Sequence, residues 1–289
     1  MTLIVESGAT KTDWLALAGD GSRVSVRTGG MNISSMPQDV VNEVVESAGA
    51  EFRGKGISHF KSIHFYAAGL ICQPGESVPS MAATLDKVLR GFFPEASIEY
   101  ASDTLAAARA VCGHSPGIAA ILGTGSNNCF YDGEKIVKNV RSGGFILGDE
   151  GGAGRLGKLF MSDFLKGLVP EPVATEFARD FEVDYMTVVK NVYKGETPAG
   201  YLGAFAPWIT SRYDSCPYVK ELVDSNFRDF FERVLKQYDT DSYPVGVVGG
   251  FGYANMDILQ RLSTPYGIKF SKIIKAPIEG LVEYHSERD

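Results

Sequence analysis

The feature that most constrains this chain is a pattern that occurs twice. In the first copy the apolar run Leu3-Ile4-Val5 leads into Gly8-Ala-Thr10, Trp14-Leu-Ala-Leu17 resumes, and Asp20-Gly21 turns again. In the second, Ile118-Ala-Ala-Ile-Leu122 runs into Gly123-Thr-Gly-Ser126, Cys129-Phe-Tyr131 resumes, and Asp132-Gly133 turns. A short apolar run closed by Gly, Thr and Ser is a core strand entering a tight reversal, and Asp-Gly is a hairpin signal. Each copy therefore reads strand, hairpin, strand, turn, strand. Side-chain identity between the copies is too low for a sequence repeat, so the duplication is one of structure.

Around these anchors the hydrophobic period alternates between strand and helix. Val24 and Val26 alternate as a third strand would, and Val40, Val41, Val44, Val45 and Ala48 recur at helical spacing, with Pro37 suited to the first turn. A strand at Ile63 to Ala68 follows, then a helix carrying Met81, Leu85, Val88, Leu89 and Phe92, a strand at Ile98 to Ala101, and a helix from Thr104. The first half is βββαβαβα. Leu156 to Tyr238 is mainly helical, and Val219, Leu222, Val223, Phe227, Phe230, Phe231, Val234 and Leu235 form one broad apolar face. Strand signal returns at Val245 to Val248 and near Ile268 to Ile273, with a helix at Ala254 to Leu262 between them and a helical tail at Glu279 to Tyr284. Gly113, Ser115 and Pro116 punctuate the junction, so domains of 1–113 and 114–289 are expected.

Composition narrows the function. With 44% hydrophobic and 22% charged residues the chain is an ordinary globular one, and a net charge of −7 disfavours nucleic acid and anionic membrane as partners. Small molecules are the expected partners. No apolar run reaches the roughly 18 residues of a membrane span, and the opening Met1-Thr-Leu-Ile-Val-Glu is not a basic segment followed by a long apolar one, so a cytoplasmic protein is expected. Cys72, Cys112, Cys129 and Cys216 are scattered, which points to reduced, mostly buried thiols rather than a zinc or redox pair. His59, His64, His114 and His285 lack the spacing of metal ligands, and no G-x-S-x-G elbow is present.

Several stretches carry groups suited to phosphate. Glu6-Ser-Gly8-Ala-Thr10-Lys11-Thr12 sets a carboxylate, a glycine, two hydroxyls and a lysine in a reversal after a core strand. Glycine lets a phosphate approach the backbone, amides and hydroxyls donate to its oxygens, and a carboxylate can hold hydrated Mg²⁺. Gly123-Thr124-Gly125-Ser126-Asn127 offers the same donors. Either stretch alone is equally a surface hairpin; in equivalent places of a duplicated framework they reinforce each other. Gly152 to Lys158 matches a P-loop until Leu159 replaces the hydroxyl that binds Mg²⁺, and its G-x-G-x-x-G spelling follows two acids rather than a strand. Both motifs are set aside, leaving Asp149 and Glu150 exposed at the mouth of a helix, open to a polyhydroxylated ligand.

Asp103 follows a strand and opens an alanine-rich helix, which is the place of either an N-cap or a general base. Asn32, after Gly29-Gly30-Met31, is either a ligand contact or a loop residue. Val247-Val-Gly249-Gly250-Phe-Gly252 leads from strand to helix, and its glycines would let a base or ribose approach, or merely close a packing turn.

The order and content of these motifs resemble the N-acetylglucosamine kinase and BadF/BadG-type ATPase family of actin-like ATPases and sugar kinases. Glu6 to Thr12 is similar to the family's first phosphate motif, Gly123 to Asn127 to its second, and Val247 to Gly252 to its adenosine motif. The resemblance implies an α/β fold of two ribonuclease H-like lobes, each on the βββαβαβα plan, with an active-site cleft between them. It implies a first lobe on the sugar and phosphate side, and a second with a helical insertion on the nucleotide side, the last dozen residues packing back on the first. It further implies an ATP-dependent kinase using Mg²⁺, acting on N-acetylglucosamine or a related amino sugar at the 6-hydroxyl, with homodimer formation an open possibility. Asp103 would be the base and a sugar ligand; Gly8, Thr10, Lys11, Thr12, Gly123, Thr124, Gly125 and Ser126 would hold phosphates. Gly249 and Gly250 would flank adenosine, Asn32, Gly144 and Asp149 would meet the sugar, and Glu6 would hold Mg²⁺, directly or through water. Glu6 stands where the family usually has aspartate, and Gly143, Gly144 and Phe145 stand where mammalian members have Trp-Gly-His. Two alternatives remain: an ATPase that activates a partner protein, and a sugar-sensing module without catalysis.

Overall fold

The computed structural model describes residues 1–8, 11–34, 36–72 and 76–286. They form two compact units, Met1–His114 with the segment from Pro277, and Ser115–Ala276. The first unit runs β1 (Thr2–Ser7), β2 (Lys11–Leu17), β3 (Arg23–Gly29), α1 (Gln38–Gly54), β4 (Ser62–Ala67), α2 (Ala83–Phe92), β5 (Ser97–Ser102) and α3 (Asp103–Cys112). Its five-stranded sheet has the order β3-β2-β1-β4-β5. The first three strands are antiparallel, and β1, β4 and β5 are parallel.

Strand alternation gives this sheet two unlike faces. Leu3, Val5, Trp14, Ala16, Val26, Ile63 and Phe65 pack with Val41, Val45 and Ala48 of α1 and Leu85 and Leu89 of α2 into one apolar core. The intervening positions put a polar row across the opposite face: Arg27 is in register with Asp13, Asp13 with Glu6, and Glu6 with Tyr66.

The second unit repeats the plan. β6 (Gly117–Leu122), β7 (Ser126–Tyr131) and β8 (Ile136–Lys138) are followed by helices α4 (Gly144–Leu147), α5 (Ala153–Leu165), α6 (Val173–Phe181), α7 (Tyr185–Tyr193), α8 (Pro198–Gly203), α9 (Ala206–Thr210) and α10 (Pro217–Arg233). Then come β9 (Val245–Val248), α11 (Gly250–Ala254), α12 (Met256–Ser263) and β10 (Phe270–Ile274). The sheet order β10-β9-β6-β7-β8 is that of the first unit, with β8 in the place of β3. Ile118, Ala120 and Leu122 of β6 meet Leu156 and Phe160 of α5 and Phe227, Phe230 and Phe231 of α10 in the core. The helix expected over Ala254 to Leu262 is two, broken at Asn255, whose side chain donates to the Phe251 carbonyl instead of supporting the next turn.

The last helix, α13 (Ile278–Ser286), belongs to the first unit. Gly280 lies so close to α3 that a Cβ would stand 2.4 Å from the Ala110 carbonyl oxygen. At its far end the His285 ring stacks on His64 at 3.7 Å and bonds the Tyr66 hydroxyl at 2.8 Å. Arg109 of α3 donates to that hydroxyl and pairs with Glu99, whose carboxyl His64 and Arg109 hold down at about 2 against the cost of burial. The cysteines differ from expectation: all are free, but Cys129 alone is buried and Cys72 is exposed. Among the described residues no helix is long and apolar enough to cross a membrane.

Candidate active site

In the first unit, Gly8 closes the β1–β2 hairpin by donating to the Lys11 carbonyl at 3.0 Å. Thr10 lies outside the described residues. Lys11 and Asp13 share a face of β2, so the ammonium reaches the Asp13 carboxylate at 2.6 Å, and Arg27 Nε reaches its other oxygen at 2.6 Å. Thr12 points the other way. It is fully buried, and its hydroxyl bonds Ser7 at 2.7 Å and donates to the Gly29 carbonyl at 2.8 Å. Those bonds spend the Thr12 hydroxyl inside the sheet, so it serves the hairpin's shape rather than a phosphate.

Glu6 stands at the end of β1 opposite Asp13. Burial pushes its carboxyl up to about 7; Lys11 pulls it back, and the charges of Asp13 and Asp103 add to the rise. Asp103 shares this neighbourhood because β1, β4 and β5 are parallel and deliver their carboxyl ends to one edge. The sequence left Asp103 between cap and base, and the structure gives the cap to Ser102, whose side chain accepts from the Leu105 amide at 3.2 Å. The Asp103 carboxylate accepts from Thr104 Oγ1 at 3.2 Å, and burial holds its pKa above the ordinary value. Asn32 bridges to Ala68 at the same edge. Its Oδ1 accepts from the Ser34 amide and hydroxyl at 3.1 and 2.8 Å, which turns its NH₂ toward donation. Gly69, which belongs to no motif in the sequence, is needed here: at φ 72°, a Cβ would lie 2.2 Å from Asn32 Oδ1.

In the second unit the turn from Gly123 to Ser126 is strapped to the start of α5. Ala153 donates to the Gly123 carbonyl at 2.9 Å and Gly154 to the Thr124 carbonyl at 2.8 Å. Asp149 and Glu150 are not exposed, as the sequence led us to expect, but 8% and 7% accessible. Asp149, at φ 58°, turns its carboxylate inward to accept from the Ser126 amide at 3.2 Å, while Glu150 pairs with Arg155 at 3.0 Å. Burial raises the Asp149 pKa against the Ser126 bond. Gly125 is glycine because a Cβ would stand 2.8 Å from Asp149 Oδ2. Asn226 of α10, fully buried, clamps the turn from beneath, accepting from the Gly151 amide and donating to the Gly152 carbonyl, both at 3.2 Å. Its separation of 74 residues hid it from sequence reasoning.

Gly144 has φ 67° and open space where a Cβ would stand, so a ring could approach its backbone. Gly249 is fixed by packing: at φ 133° a Cβ would be 2.3 Å from the Leu122 carbonyl oxygen. Gly250 beside it is open. The structure thus gathers Gly123, Gly125, Ser126, Asp149 and Gly249 around the end of β6. The edge of the first sheet gathers Glu6, Gly8, Lys11, Asn32 and Asp103.

No family model matches the sequence, and no curated protein does. Solved structures do match. A protein from Porphyromonas gingivalis provisionally described as an N-acetylglucosamine kinase superposes at a TM-score of 0.89 with 34% identity, over 99% of each chain. One from Chromobacterium violaceum with the same provisional description gives 0.73 and 19% over 96% of each. A ROK family protein from Streptococcus pneumoniae TIGR4, in complex with sucrose, gives 0.52 and 14% over 99% of each and shares the fold. Fold and motifs define a two-lobed actin-like sugar kinase, an ATP-dependent phosphotransferase. The chain belongs to the N-acetylglucosamine kinase and BadF/BadG-type ATPase family.

Proposed function

We propose that this sugar kinase phosphorylates N-acetylglucosamine, or a close amino sugar, at the 6-hydroxyl. The observation that carries the chemistry is Asp103: a carboxylate released from capping, partly desolvated, at the carboxyl ends of parallel strands. Such a group accepts the hydroxyl proton as the sugar oxygen attacks the γ-phosphorus of ATP and the bond to the β-phosphate oxygen breaks. The provisional description of the Porphyromonas gingivalis relative supports the amino sugar.

In this reading the Asn32 NH₂ and the open backbone of Gly144 meet the sugar. Lys11, Thr124 and the amide of Gly125 meet phosphate, Gly8 and Gly123, whose amides close their own turns, let it approach the backbone, and Gly250 leaves room for adenosine. Thr10, outside the described residues, is assigned to phosphate on its place in the sequence motif alone. Asp149 holds the second hairpin through Ser126 and meets the sugar by its remaining oxygen. Among the described residues no cluster of three carboxylate, histidine or cysteine groups forms a metal site by itself. The hard oxygens of Glu6, in an edge already crowded with carboxylates, suit a Mg²⁺ brought by the nucleotide and its waters, which would neutralise phosphate charge. A panel of sugars read by ADP release, with the product located by phosphorus–proton correlation, tests the assignment. Strongest stimulation by an amino sugar and coupling to the two C6 protons is expected; a neutral hexose as sole substrate, or phosphate on the anomeric oxygen, overturns it.

A further inference from the structure

We propose that Arg27 is a phosphate-binding residue for the nucleotide, presented beside Lys11 by the buried carboxylate of Asp13. The inference rests on the reading of the first hairpin as a phosphate site and adds two residues to it.

An ordinary surface ion pair exposes both partners and contributes little. This cluster is built the other way round. The Asp13 side chain is 12% accessible, while Lys11 and Arg27 are 45% and 69% accessible. The carboxylate is therefore the fixed point and the cations are what it displays. Burial alone would raise the Asp13 pKa, but the bonds from Lys11 and Arg27 outweigh it and leave the value lowered, so the carboxylate stays ionised.

The donors left over have the right form. Lys11 spends one of three N–H groups on Asp13. Arg27 spends its Nε–H, and its two terminal nitrogens have no partner among the described residues. That leaves the outer edge of the guanidinium fork, the edge that binds a phosphate through two parallel hydrogen bonds. Lys11 and Arg27 thus set two cations beside the hairpin, against Asp13 and a Glu6 whose carboxyl burial pushes up to about 7, in a chain whose net charge is −7. A polyanion such as the phosphates of a nucleoside triphosphate is the ligand this arrangement recognises. β-Pairing makes the arrangement obligatory, since Arg27 is the direct cross-strand neighbour of Asp13.

Titration calorimetry with ATP and ADP on the full chain, alongside Arg27→Gln, Arg27→Lys and Asp13→Asn, tests the proposal. Arg27→Gln should weaken ATP about tenfold, the loss of one charge-assisted contact, with a shallower salt dependence. Arg27→Lys should recover part of that, Asp13→Asn should weaken ATP as well, and the sugar KM should not rise with either Arg27 variant. ATP binding to Arg27→Gln that equals the unaltered chain overturns the proposal, as does an equal loss of ATP and sugar affinity. Failure of the unaltered chain to bind ATP or ADP overturns the hairpin reading and the proposal together.

Discussion

Replacing Asp103 by Asn separates a catalytic carboxylate from a structural one. The helix keeps its cap, because Ser102 supplies it, and Asn keeps an oxygen for Thr104 Oγ1. What disappears is the capacity to take a proton. General-base assistance is worth about 10²–10⁴-fold, or ~3–5 kcal/mol of barrier, so kcat should fall within that range while ATP affinity holds. Stability should move the other way. Burial raises the folded pKa of Asp103, and an acid raised on folding contributes stability at low pH that is lost as pH rises through the folded value. At neutral pH the ionised carboxylate therefore weighs against the fold, and Asn should match or exceed the parent's Tm. Steady-state ADP release, calorimetric ATP binding and thermal unfolding on one preparation give the three readings. A variant turning over within a few-fold of the parent would remove Asp103 from its role; a falling Tm with lost ATP binding would make it structural.

Three further outcomes follow from particular contacts. Glu6 holds its proton up to about 7 when folded against 4.5 ordinarily, so up to about 3 kcal/mol of stability present at pH 4 should be lost as pH rises through 7. In chelator-treated protein Glu6→Gln should flatten that slope in urea titrations, and an unchanged slope would refute the assignment. Asn226→Leu strips partners from the Gly151 amide and Gly152 carbonyl, and should cost about 2–4 kcal/mol in urea unfolding and lower kcat; a neutral effect would show that the Asp149 turn stands without its clamp. Gly280→Ala should cost about 1–3 kcal/mol, because its Cβ would overlap the Ala110 backbone and force α13 off α3. Equal unfolding midpoints would contradict that packing.

The framework was legible in the sequence because it rests on local signals. Apolar runs bounded by Gly-Thr-Ser and Asp-Gly gave β1, β2, β6 and β7 and their turns, and helical spacing of Val41, Val45 and Ala48 gave α1. Local signals also placed Asp103 after β5. What escaped depends on pairing across the chain. The two hydroxyls that flank Lys11 in Thr10-Lys11-Thr12 read alike in sequence, yet strand alternation turns Thr12 into the core while Lys11 faces out. The tilt of Asp149 onto Ser126, the hold of Asn226 on Gly151 and the register of Arg27 with Asp13 each join residues far apart in sequence. Of the carboxylate pair read as exposed, Asp149 is turned inward by that long-range bond to the Ser126 amide, whereas Glu150 is covered by a local contact, with Arg155 of the first turn of α5 pairing back onto it.

The most direct test of the account follows the γ-phosphate of labelled ATP in the presence of N-acetylglucosamine. The account predicts label in a sugar phosphate, formed only when sugar is present and lost with Asp103→Asn. Label released as inorganic phosphate at the same rate with or without sugar would contradict it and leave an ATPase in its place.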